Sequence, residues 1–383
     1  MKKRQTILFL IPHLGGGGAE QVTALLLRNL CPQKYDLHLG LITQREIHPE
    51  SLPSHVSVHG LGSARVRDAV CPLLALVWRL NPDVIVSGMV HLNLMVLMLR
   101  IFFPRNTRVM VRQNSTISAA LSFGGLPRYS AALIRRFYPR ADRIVCQTDA
   151  MALDVSALLR LEHSQVSRLM LVAPNPVDVD AIRAAVHRGN PSVISARRGP
   201  GPHLLAVGRL AREKGFDLLL RALLLVRERV PHADLAIVGA GPEEQALKRL
   251  SRDLHLDSVT CFTGHVESPA AFFADTTALV LCSHHEGLPN ALLEAAAGGL
   301  PLVVTPCCSG LVELVTGQPG VWLAEAITAE SLAAAILAAL HALESGQRFP
   351  HPFVEPFTLA RSIAAYEALI DAMHLPAAVE PRP

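Results

Sequence analysis

The sequence predicts an α/β protein made of two Rossmann-like domains, each a parallel sheet covered by helices on both faces. Three observations carry that expectation. Short runs rich in Val, Ile and Leu, apolar on both faces, alternate with longer amphipathic segments. The alternation breaks near residue 174 and then restarts. A chain of 383 residues also exceeds the usual size of one hydrophobic core.

In the first domain, residues 1–174, the runs at 6–11, 37–42, 83–87, 108–111 and 143–147 read as buried parallel strands. Lys2, Lys3 and Arg4 before the first run imitate a secretion signal. That run is short, however, and ends at Pro12 and a glycine tract, so it reads as a first buried strand. Residues 84–103 are apolar but interrupted by Ser87, His91, Asn93 and Arg100, which argues against a membrane span. Residues 175–202 read as the hinge, because Pro174 and Pro176 stop the periodicity and 187–202 is rich in Gly, Pro, Ser and Arg. The second domain, 203–355, has strands at 204–207, 235–238, 259–262, 278–282 and 301–305. Residues 356–375 carry Ile363, Tyr366, Ile370 and Met373 at helical spacing, and 376–383 form a tail.

Half of the residues are apolar and 18% are charged, which excludes a disordered chain. Charge is unevenly spread. Residues 1–174 hold 20 Lys+Arg against 10 Asp+Glu, net +10; the remainder holds 16 against 22, net −6, and the two sum to the whole chain's +4. A basic half suits an anionic partner, a membrane leaflet or a phosphorylated acceptor. Arg128, Arg135, Arg136, Arg140 and Arg143, interleaved with Leu133, Ile134, Phe137 and Tyr138, are the candidate patch for peripheral contact with an anionic membrane. The 7 cysteines show no CxxC or metal spacing and read as small core residues of a cytoplasmic protein, at most attached to the inner face of the membrane.

Three segments carry chemistry. The glycines Gly15 to Gly18, after the first strand and before a helix, permit close backbone approach and aim unpaired N–H groups at an anion. Arg209 and Lys214 follow the strand that opens the second domain, where parallel sheets bind ligands, and their two cations suit a diphosphate. Glu286 to Glu294 follow the 278–282 strand. With Pro289 in the first helical turn, Asn290, Glu294 and Gly298 share one face. Glu294 is then placed for ribose hydroxyls, the N–H groups of Gly287 and Leu288 for phosphate or sugar oxygens, and Glu286 for the sugar.

These motifs resemble those of the retaining family-4 glycosyltransferases of the GT-B fold, in which two Rossmann-like domains face each other across a cleft. The resemblance lies in Gly17 to Glu20, Asn175-Pro176-Val177-Asp178, Gly208-Arg209-Leu210 with Lys214-Gly215, Gly239 to Pro242, and the two glutamates eight positions apart, Glu286 and Glu294. It implies that Arg209 and Lys214 hold the donor diphosphate and that Glu294 binds the ribose. Glu286 would contact the transferred sugar, and Gly17 and Gly18 would approach the donor from the first domain. It further implies retention of anomeric configuration and no metal or cofactor, the nucleotide sugar being a substrate. The partners implied are a nucleotide-sugar donor and a glycan or lipid-linked glycan acceptor, not nucleic acid. Many such enzymes have a histidine near the end of a first-domain strand, but here the corresponding stretch is Arg112 to Ser115, so Asn114 and His91 are the candidates for that sugar or acceptor contact. A sugar-nucleotide epimerase of the same fold and a non-catalytic nucleotide-sugar-binding protein need the same donor contacts and stay open as alternatives.

Overall fold

A computed structural model describes residues 4–15, 17–43, 52–123, 126–127, 129–188 and 201–373. The chain forms two compact units: residues 1–176 together with 360–383, and residues 177–359.

The first unit is built on a seven-stranded sheet of β1 (Gln5–Ile11), β2 (Tyr35–Leu41), β3 (Val56–Gly60), β4 (Val84–Gly88), β5 (Arg108–Arg112), β6 (Arg143–Cys146) and β7 (Met170–Val172). Its order is β3-β2-β1-β4-β5-β6-β7, every pair parallel, with Phe9 of β1 opposite Leu39 on one side and Val86 on the other. Central strands such as β4 are buried along their whole length, which is why their sequences are apolar without alternation. Two cores lie on the two faces. One gathers Leu8, Leu10, Leu73, Leu76 and Val109, and the other Ile7, Phe9, Leu26, Tyr35 and Val86. The terminal helix Leu359–Ala372 completes the second, adding Tyr366 and Ile370.

The second unit repeats the plan with six parallel strands: β8 (His203–Val207), β9 (Asp234–Val238), β10 (Thr260–Gly264), β11 (Ala278–Leu281), β12 (Leu302–Val304) and β13 (Val321–Leu323). Their order is β10-β9-β8-β11-β12-β13. In each sheet the order reverses once, between β1 and β4 and between β8 and β11. Loops leaving the carboxyl ends of those neighbours diverge there and leave room for a ligand.

The structure revises several expectations. Val179–Arg188 is a helix of the second unit rather than linker. Asp178 accepts from the Ala181 N–H at 3.0 Å to start it, and Ile182 is buried against the helix Asn290–Ala297. Of the stretch read as low in order, residues 189–200 lie outside the described residues, as does the 376–383 tail. Cys146, Cys282 and Cys307 are buried, but Cys71 is exposed and the others are half-buried, because Cys71 falls on the outer face of its helix. In the candidate basic patch, Ile134 and Tyr138 face the core and Arg140 stacks on Phe137; Arg128 lies outside the described residues. No described helix is long and apolar enough to cross a membrane.

Candidate active site

In the second unit, the loops after β8 and β11 leave adjacent strands at the reversal point, and they carry Arg209, Lys214 and Glu286. The chain after β8 runs through a 3-10 turn, Arg212–Lys214, and ends at Gly215 in the left-handed conformation (φ 63°). A Cβ on Gly215 would lie 2.1 Å from the Cys282 carbonyl oxygen, so only glycine lets the two loops touch. The Gly239–Pro242 segment buttresses the same turn from β9: Leu210 N–H donates to the Ala240 carbonyl at 3.0 Å and Glu243 N–H to the Leu210 carbonyl at 2.9 Å. That motif therefore supports the cationic turn by close backbone packing.

The predicted side chains meet. Lys214 Nζ lies 2.5 Å from Glu286 Oε1, and Ser283 Oγ donates to the same oxygen at 2.8 Å. Thr305 Oγ1 holds the Ser283 carbonyl at 2.7 Å, fixing the base of the loop. Sequence reasoning missed Ser283 and Thr305, because isolated hydroxyls carry no spacing signal. Arg209 is exposed and pairs with Glu213 at 2.5 Å. Burial works to raise the Glu213 carboxyl, but backbone hydrogen bonds together with Arg209 and Lys214 outweigh it and hold the group below its ordinary range.

Pro289 sits one position earlier than expected. It is the extended residue before the helix (φ −75°, ψ 116°), and Asn290 opens Asn290–Ala297. Gly298 follows the helix end, so of the proposed face only Asn290 and Glu294 belong to the helix itself. Leu292, Leu293 and Ala296 pack in the core as their spacing predicts. The N–H groups of Gly287 and Leu288 donate to no acceptor among the described residues. Glu294 keeps some accessible surface, yet protein encloses its carboxyl, and burial alone pushes it up to about 7. No hydrogen bond or ion pair reaches that carboxyl among the described residues, so hydroxyl donors of a ligand would find it unengaged.

The first unit holds the remaining candidates. Gly17 precedes the helix Gly18–Asn29, and Gly16 lies outside the described residues. The buried carboxylate of Glu20 folds back over Gly17, where a Cβ would come within 2.5 Å of Glu20 Oε2. The Glu20 side chain thus packs against the turn beside the backbone of Gly17. His91 is exposed on the first turn of the helix Val90–Leu99. Asn114, just beyond β5, is different. Its amide oxygen and nitrogen are both buried without a partner among the described residues. So are Ser87 Oγ at the end of β4 and Gln147 Oε1 just beyond β6. Three unpaired polar groups at the carboxyl ends of adjacent strands are costly in a folded protein and mark a place where hydroxyl groups would be welcome. Beside them Met89 takes φ 74°, a conformation rare outside glycine that concentrates at functional positions. Arg112, by contrast, is structural: it donates to Tyr366 Oη at 2.8 Å and to Asn175 Oδ1 at 2.9 Å.

Residues 201–342 match the model of the glycosyl transferases group 1 family. An uncharacterized glycosyltransferase of Haemophilus influenzae is 34% identical over 32% of this chain and 35% of its own length. The N-acetylgalactosamine-N,N'-diacetylbacillosaminyl-diphospho-undecaprenol 4-alpha-N-acetylgalactosaminyltransferase of Campylobacter jejuni is 26% identical over 81% of this chain and 83% of its own length. The chain spans 35%, 60% and 52% of the length of three curated relatives that it matches. Among solved structures, Anabaena HepE in complex with UDP and glucose superposes with a TM-score of 0.76 at 16% identity, over 96% of this chain and all of that one. The chain thus has the GT-B fold, and residues 201–342 match the group 1 model.

Proposed function

We propose that this chain is a retaining, metal-independent glycosyltransferase that moves a sugar from a nucleoside-diphosphate sugar, UDP-linked, to a hydroxyl of a glycan or lipid-linked glycan in cell-surface polysaccharide assembly. The observation that carries the proposal is the pairing of Lys214 with Glu286 and of Arg209 with Glu213 on loops at the strand-order reversal, within residues 201–342 that match the group 1 model, with Glu294 on the adjoining helix. The UDP bound by Anabaena HepE and the lipid-diphosphate acceptor in the name of the Campylobacter relative support the choice of donor and acceptor.

Breaking the bond between the anomeric carbon and the diphosphate oxygen leaves negative charge on the phosphate and positive charge on the sugar ring. Arg209 and Lys214 stabilise the first, a contribution worth most when the cations are preorganised. Donor binding exchanges carboxylate for phosphate on each cation, Glu213 on Arg209 and Glu286 on Lys214. Glu286, released from Lys214 but still held by Ser283, then accepts a bond from a sugar hydroxyl. Glu294 accepts from the ribose hydroxyls, while the N–H groups of Gly287 and Leu288 meet phosphate or sugar oxygens. The acceptor hydroxyl attacks the anomeric carbon from the face the phosphate leaves and gives its proton to a phosphate oxygen. Asn114, with Ser87 and Gln147 beside it, supplies polar partners for sugar or acceptor hydroxyls, and His91 is the lesser candidate for that role.

The test is a screen of nucleotide sugars and lipid-linked acceptors, with the anomeric configuration of the product read by NMR. Arg209→Ala and Lys214→Ala should each cost about 3 kcal/mol of barrier, roughly a hundredfold in turnover. Near-normal turnover in both would end the assignment. Inversion of configuration would remove the retaining mechanism, and donor interconversion without an acceptor would favour an epimerase.

A further inference from the structure

We propose that a face of the first unit, formed by the outer side of the helix Val70–Leu80 and the turn Arg100–Phe102, docks flat on an anionic lipid bilayer. Most large apolar side chains of the protein are buried, but here three stand in solvent: Trp78 is 62% exposed, Ile101 70% and Phe102 54%. They form one surface, because the Trp78 indole N–H donates to the Phe102 carbonyl at 3.0 Å and ties the helix end to the turn. Along the helix the exposed positions Cys71, Ala75 and Trp78 fall at i, i+4 and i+7, a stripe on the outer side. An apolar stripe of this length facing water calls for an apolar partner.

Charge selects the occupant. Residues 66–108 contain Arg67, Arg79, Arg100, Arg105 and Arg108 against Asp68 and Asp83. At the adjoining strand ends Asp142 is already engaged, by Arg100 at 2.6 Å and Arg108 at 3.3 Å, and its own carbonyl accepts from Arg143 at 2.8 Å. Three arginines around one aspartate leave this edge net positive. Aromatic and branched side chains projecting from a rim on which arginines outnumber acids match the layered chemistry of an anionic leaflet, with headgroup phosphates outside and acyl chains within. A second copy of the chain would bring the same positive charge to the contact and be repelled. The apolar face lies outside residues 128–143, where the sequence pattern pointed, and shares with that segment only Asp142 and Arg143 at its edge; it is independent of the proposed sugar transfer, so either reading can fail alone.

The experiment is flotation of the full chain with vesicles of phosphatidylcholine alone or with added phosphatidylglycerol, at low and high salt. Binding should require phosphatidylglycerol and weaken with salt. The chain has two tryptophans, so a Trp322→Phe variant reports on Trp78 alone, and its emission should shift to the blue when anionic vesicles are added. Ile101→Asp with Phe102→Asp should lower partitioning about tenfold or more, and Arg79→Glu with Arg105→Glu should remove the preference for anionic lipid. Absence of binding to anionic vesicles, or binding indifferent to both double variants, overturns the proposal. So does a dimer in sedimentation that the Ile101→Asp, Phe102→Asp variant dissociates, since a second copy then covers the face. If that variant fails to fold, the Trp78 emission decides: no shift overturns the proposal.

Discussion

Glu294 has the one carboxyl near the proposed donor that burial holds near neutrality, at about 7 rather than the ordinary 4.5. In the ligand-free fold its proton is therefore retained between those values while the unfolded chain has lost it, so this group makes the fold less stable as pH rises from 4.5 towards 7. Ribose hydroxyls donating to the carboxylate favour the ionised form. Affinity for UDP is accordingly expected to be full above pH 7 and to fall below it, by up to about tenfold per pH unit, because binding must then expel a proton. Glu294→Gln should flatten that component, and titration calorimetry of both proteins across pH 5.5 to 8.5 separates it from titration of the phosphates. Equal slopes in the two proteins would exclude Glu294 as the ribose acceptor. The position of this residue was legible in sequence, since it lies eight residues beyond Glu286 on a helical face. Its altered acidity was not, because that depends on which apolar side chains close around it.

Among elements, the terminal helix Leu359–Ala372 has the plainest energetic role. Tyr366 and Ile370 fill the core beside Ile7 and Phe9, Glu367 accepts from the Cys31 N–H at 3.0 Å and pairs with Lys34 at 3.0 Å, and Arg112 grips Tyr366 Oη. Tyr366→Phe should cost about 1 to 3 kcal/mol, since it leaves a buried guanidinium one bond short. Arg112→Ala should cost about 3 kcal/mol through lost packing and the lost bonds to Tyr366 and Asn175, and urea unfolding measures both. A loss below about 0.5 kcal/mol in both would mean that the clasp contributes nothing. Periodicity gave this helix nearly to its ends, and it gave the inner strands likewise. It missed β3, β7 and β13, and topology explains why: all three are edge strands, two of them only three residues long, and none is apolar on both faces.

For the molecule as a whole, the division of cores sets what can fold alone. Residues 177–359 enclose two core clusters of their own, around Leu292 and around Leu219. That fragment is expected to unfold cooperatively and to keep UDP affinity within about tenfold of the full chain, since every proposed contact to the nucleotide lies within it. Residues 1–176 alone lack Tyr366, Ile370 and Met373 and should be less stable than the same unit with the terminal helix restored. Calorimetry of the fragments checks both statements, and a fragment 177–359 that fails to fold would show that the unit depends on the rest of the chain.

Local chemistry determined the plan of this protein. Parallel strands buried on both faces must be apolar throughout, turns that let loops touch must contain glycine, and a diphosphate calls for cations after a strand, so each leaves its mark in neighbouring residues. Contacts between residues far apart in sequence were decided by tertiary structure alone. These include the bond from Lys214 to Glu286 and the clasp of Arg112 on Tyr366; the unpaired amide of Asn114 and the exposed surface at Trp78 likewise follow from the packing around them. The physical reason is that acidity, satisfaction of polar groups and exposure belong to the packed environment around a side chain, and packing assembles that environment from segments whose order in the chain does not announce their meeting.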